Sequence, residues 1–217
     1  MPRSNFKSSH NQKRVPPANS EKTLKRKISW EAARILVEGS SKNFLAAKKK
    51  ALTHLNLPAN TSLPRNIEVE KALRQQLAIF DRQNQEFLVN KARQQAIELM
   101  RFLGAYNPRL VGHVLEGIFL PTSSIQLHLF SDTAEEVVFF LEEHNIPFKI
   151  NQIKLRFGKD EYKELSVLSF VVDQFNTELY IFMSGIPQEA PLNQVTGKPM
   201  KRASLGALES LISQPPE

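Results

Sequence analysis

The chain has 217 residues, of which 41% are apolar, with no cysteine and a net charge of +7. That length suits one domain of ordinary size with a smaller module or tail. Disulfide and thiolate chemistry are excluded, and no run of about 18 apolar residues is present to span a membrane. The opening MPRSNFKSSHNQKRVPPANSEK carries no apolar stretch behind its charges. It does not read as a secretory signal, so a cytoplasmic protein with no membrane partner is expected.

The charge is unevenly spread. Residues 1–60 hold thirteen Lys/Arg against three Asp/Glu, a balance of +10, and residues 61–217 come to −3. Residues 1–20 are polar and unpatterned, which predicts disorder. Lys25, Arg26 and Lys27 then lead into Ile28–Glu38, where Ile28, Ala32, Ile35 and Leu36 recur at helical spacing. Gly39 suits a helix end. Ser40 or Ser41 is the expected cap of a second helix, Asn43–Leu55, with Phe44, Ala47, Ala51, Leu52 and Leu55 on one stripe and Lys48, Lys49 and Lys50 near its border. These six cations, Lys25 to Lys27 and Lys48 to Lys50, are the candidate nucleic-acid contacts.

Asn66 is the expected N-cap of a longer helix, with Glu68 and Glu70 in its first turn. Ile67 to Leu103 contains neither Pro nor Gly, and its apolar stripe lapses near Asp81–Gln85. One long helix or two broken there both satisfy that pattern. After Asn107-Pro108 the period changes to two. Leu110–Leu115 and Ile125–Phe130 are predicted strands. In the second, Ile125, Leu127 and Leu129 face one way and Ser124, Gln126 and His128 the other. Asp132 or Thr133 caps a helix to about Glu143, with Glu135 or Glu136 completing a capping box. Three more strands are expected at Phe148–Phe157, Leu165–Val172 and Thr177–Phe182. The turn Thr196-Gly197-Lys198-Pro199 and a short helix Ser204–Ile212 close the pattern. The fold class is α+β, a helical half followed by a small mixed sheet with one flanking helix and a C-terminal helix.

Val111-Gly112-His113, then ten residues, then Ser124-Ile125-Gln126-Leu127 is a glycine-led strand-to-strand spacing. It resembles the glycine and Asp-x-Asp segment of a group of bacterial, mainly proteobacterial, nucleotidyltransferase-like proteins. ISWEAARILVEGSSKNFLAAKKKALTHLNL, LPRNIEVEKAL and VTGKPMKRASL are similar to the same group, so the resemblance covers about Ile28–Leu211. It implies a nucleotidyltransferase-type sheet over 108–212, a helical region over 25–105 and a disordered basic tail over 1–24.

The resemblance also implies roles. Gly112 and His113 fall at the phosphate-binding turn, where His113 replaces the usual Gly or Ser. Ser124 and Gln126 stand where two carboxylates hold divalent metal in an active member, with His128 next on that face. Glu178, or less well Glu164, falls at a third-acid position. Neutral side chains are poor ligands for a hard cation, so Mg²⁺ enters only if the chain is active, and no metal site is predicted. His113 and His128 are expected on neighbouring strands. His10, His54 and His144 have no companions at metal-ligand spacing. Two readings follow. One is a divergent, degenerate nucleotidyltransferase-like protein that binds a nucleotide or transfers a nucleoside monophosphate. The other is a non-catalytic RNA- or protein-binding module gripping through its basic helices.

Overall fold

A computed structural model of the chain describes residues 18–183 and 189–213. The expected disorder of residues 1–17, with His10, lies outside them. Within them the molecule is α+β, with a helical N-terminal half, a five-stranded mixed sheet and a C-terminal helix.

Helix α1 runs Ala18–Val37, so residues 18–24 of the expected tail are helical. Gly39 follows it at φ +70°, as its position predicts. Helix α2 is Phe44–His54. Its cap is Asn43 and not a serine, because the Asn43 side chain accepts from the Ala46 N–H at 2.8 Å. Helix α3 is Asn66–Phe80. Its N-cap is Arg65, with Asn66 already inside, and Glu68 reaches back to accept from the Arg65 N–H at 2.7 Å. Asp81, at φ −150°, separates α3 from helix α4, Arg82–Phe102, where the apolar stripe lapses. Ile28, Ile35, Leu52, Val69 and Leu73 close the core of the first three helices, joined by Ile118 and Leu120 from a later loop.

Strand β1 is only Arg109–Val111. The expected strand Leu110–Leu115 is therefore cut in half: Gly112 takes φ +72°, and Gly112–Leu115 wind into the single turn α5. Strand β2 is Ser124–Ser131 and helix α6 Ala134–Glu143, capped by Thr133. Glu136 does not complete a capping box; its carboxylate takes the hydroxyl of Ser131. Strands β3 (Lys149–Arg156), β4 (Tyr162–Val172) and β5 (Phe175–Met183) and helix α7 (Leu205–Ser213) complete the fold.

The sheet order is β1-β2-β5-β4-β3. Only β2 and β5 run parallel; the other pairs are antiparallel. Alternation then gives the sheet two unlike faces. Ile125, Leu127 and Leu129 of β2, Leu179 and Ile181 of β5 and Leu168 of β4 pack on Ala96 and Met100 of α4, Val137 and Leu141 of α6 and Leu208 of α7. Burial of that face is the main stabilising contribution of the sheet. The opposite face carries Ser124, Gln126 and His128 beside Glu178 and Tyr180, and it is left to form a site.

Candidate functional site

The polar face of the sheet floors a cleft of about 890 Å³, walled by Phe44 and Leu73 of the helical half and by the loop through Asn193 and Met200. Ser124, Gln126, His128, Glu178, Gly112 and His113 all line it, so the residues singled out by spacing come together in space. Register explains this. Gln126 lies opposite Val111 in β1 and Glu178 in β5, and Ser169 of β4 lies opposite Glu178.

At the centre is a closed polar triad. Gln126 Nε2 donates to Glu178 Oε2 at 2.9 Å and to the Tyr180 hydroxyl at 3.0 Å. The Tyr180 hydroxyl donates to the same Glu178 oxygen at 2.7 Å. Burial, then the Glu178 charge, pushes the Tyr180 phenol well above its ordinary range, so it stays a donor. The other end of the Gln126 carboxamide packs on Gly112: a Cβ at that glycine would sit 2.2 Å from Gln126 Oε1. Gly112 thus serves the turn and this contact at once.

Two-metal transfer chemistry needs several hard oxygen ligands in one place. Of Ser124, Gln126 and Glu178 only Glu178 is charged, and its carboxylate already accepts two hydrogen bonds on one oxygen. Among the described residues no group of three His, Cys, Asp or Glu is arranged to hold a metal ion. The donor set does not fit Mg²⁺. Glu164 pairs with Lys154 and projects from the other face, beside Gln152 and Ser166, away from the cleft.

The two histidines do not sit on neighbouring strands. His113 is in α5, where burial lowers its pKa. His128 is in β2 and 1% exposed. Burial first, then the adjacent Arg202 charge, lowers its pKa to about 3, so the ring is neutral. Its Nδ1 accepts from Arg202 Nε at 2.9 Å, and its ring lies 4.6 Å from Phe182.

The basic set is not one surface. Lys48 is 7% exposed, and its Nζ donates to the Pro64 carbonyl at 3.0 Å and Asn66 Oδ1 at 2.9 Å, tying α2 to the start of α3. Its charge is spent on structure, satisfied by two oxygens inside the fold. Lys25 pairs with Glu21 at 2.9 Å, and Lys50 reaches the Ser40 carbonyl. Arg26, Lys27 and Lys49 are exposed.

Sequence reasoning missed Tyr180, Arg109 and Arg202. Tyr180 was open to it, since it stands two residues beyond Glu178 on the same strand face. Arg202 was not, because it arrives from a loop 74 residues beyond His128. No family model, curated protein or solved structure matches this chain. No helix among the described residues is long and apolar enough to cross a membrane.

Proposed function

We propose that this protein is a divergent nucleotidyltransferase-like protein that binds a nucleotide in the sheet cleft without transferring it. The observation that carries the reading is the convergence of Gly112, Gln126 and Glu178 at one point on the open face of a mixed sheet, where the resembled group would place its glycine turn and carboxylates. The cleft volume lies in the range of small-molecule sites. Its amide, hydroxyl and carboxylate groups are suited to reading a base or ribose by hydrogen bonds, and Phe44 and Phe148 offer apolar walls.

The absence of catalysis follows from the donor set. Gln126 brings a neutral amide where an active member would bring a charge, and it engages the one acid left. Phosphoryl-transfer enzymes rely on metal to neutralise charge developing at the transferred group, and these residues do not supply its ligands.

The test is calorimetric titration of the full chain with ATP, GTP, CTP and UTP and their nucleosides, in Mg²⁺ and in EDTA, alongside a radiolabel-transfer assay. The expected result is binding of at least one nucleotide with similar affinity in both buffers and no transferred label. No binding to any of them defeats the nucleotide reading, and transferred label defeats the non-catalytic one.

A further inference from the structure

If a nucleotide occupies the cleft without a metal, its phosphates bring several negative charges that the protein itself must balance. The Gln126–Glu178 centre cannot do so. Lys42 and Lys149 line the cleft wall, and two arginines stand one step along the strands on the same sheet face. Arg109 of β1 is in register with His128 of β2. Arg202 comes to the same histidine from the 192–203 loop, with its Nε on His128 Nδ1 at 2.9 Å. One arginine by register and the other by a hydrogen bond therefore neighbour the same neutral imidazole.

Arg202 is held in place. Its guanidinium lies 4.9 Å from the Phe182 ring and 5.2 Å from the Phe130 ring, and an Nη donates to the Glu189 carbonyl at 3.3 Å. His128 can accept from it because the ring is uncharged. Arg109 differs. Among the described residues its side chain donates only to the Pro108 carbonyl, at 3.2 Å, and it meets no carboxylate. Burial, and then the Arg109 charge, lowers the Arg202 pKa. An anion lying between the two like charges relieves their repulsion.

We propose that Arg109 and Arg202 form a phosphate-binding pair that takes the phosphates of a nucleotide seated in the cleft, doing by fixed guanidinium groups the charge neutralisation a metal would otherwise do. The inference rests on the nucleotide reading above. His128 lies two residues beyond Gln126, about 7 Å along the strand, within the length of a nucleotide whose base or sugar meets the Gln126–Glu178 end. The planar donor fork of arginine matches a phosphate better than lysine does.

The experiment titrates the full chain in EDTA with each nucleoside triphosphate, its nucleoside, and inorganic tripolyphosphate. The wild-type chain is expected to prefer triphosphate over nucleoside by about tenfold or more, roughly 1.4 kcal/mol, and to bind tripolyphosphate. Arg109→Gln should bring the triphosphate down to the nucleoside's affinity and abolish tripolyphosphate binding. Arg109→Lys should recover part of the preference. Lys154→Gln, an exposed cation on the opposite face of the edge strand, should retain all of it. A triphosphate preference that survives in both Arg109 variants overturns the proposal, as does a wild-type chain that binds nucleoside and triphosphate equally. Tripolyphosphate binding that Arg109→Gln abolishes, with no nucleoside bound at all, would defeat the cleft reading and leave the arginine pair standing. Binding of no probe defeats both.

Discussion

Gly112 carries two separate constraints, and substitution can separate them. Its φ of +72° disfavours any Cβ by roughly 1–2 kcal/mol, and a methyl group there drives into the Gln126 carboxamide. Gly112→Ala should therefore cost about 2–4 kcal/mol in urea unfolding, because Gln126 must leave Glu178 and Tyr180 as well. In a Gln126→Ala background the same change should cost only about 1–2 kcal/mol, the backbone share alone; equal costs in both backgrounds would show that the contact carries no weight. His128 gives a pH signature. Its folded pKa of about 3 lies below the ordinary histidine value of 6.5. Between pH 6.5 and 3 the unfolded chain takes up a proton at this ring that the folded chain refuses, so stability falls as pH drops through that window. Above 6.5 the group adds no slope. The loss is at most about 1.4 kcal/mol per pH unit, and His128→Asn should make the pH 7 to pH 5 decline measurably shallower.

Among the elements, α5 shows how a short piece of structure is held from outside. A single helical turn has no internal support for its terminal carbonyls. Arg93 of α4 supplies it, donating Nε to the Val114 carbonyl at 3.1 Å and an Nη to the Leu115 carbonyl at 2.9 Å. Gln85 of the same helix clamps the next loop through both the N–H and the carbonyl of Phe119. Arg93→Ala should cost about 1–3 kcal/mol, and amide exchange at Glu116 and Ile118, whose N–H groups bond within this turn, should speed up more than exchange in β2; uniform acceleration would rule out a local role. The same element marks where the sequence stopped being readable. The break at Asp81 was visible as a lapse in a stripe, and β2 as a strict alternation. Leu110-Val111-Gly112-His113-Val114-Leu115 is a short apolar run interrupted only by Gly112 and His113, so α5 looks like more strand. What overrides it is a left-handed glycine and the Arg93 side chain from α4, neither of which is a local pattern.

At the scale of the whole molecule, the helical core and the sheet core are distinct clusters, and Ile118 and Leu120 carry the chain between α5 and β2 into the helical one. Ile118 is 2% exposed, so Ile118→Ala should cost about 2–4 kcal/mol and loosen the coupling between the halves. Trp30, the single tryptophan, sits on α1 and reports on the helical half. Its fluorescence and far-UV circular dichroism should trace one unfolding curve in the wild-type chain and separate in the variant; coincident curves in both would show that these two side chains do not couple the cores. The site was legible to the same degree as the fold. Strand period put Ser124, Gln126 and His128 on one face, and the resemblance pointed to Glu178, while Arg202 comes from a loop that no period describes. One consequence of the topology concerns how the pocket comes into being. Because β5 lies parallel to β2, the chain must first lay down α6, β3 and β4, so Gln126 waits for a partner 52 residues downstream. A nascent chain halted before Phe175 lacks Glu178 and Tyr180 from the floor of its pocket, and ring closure over that distance makes the pocket a late product of folding.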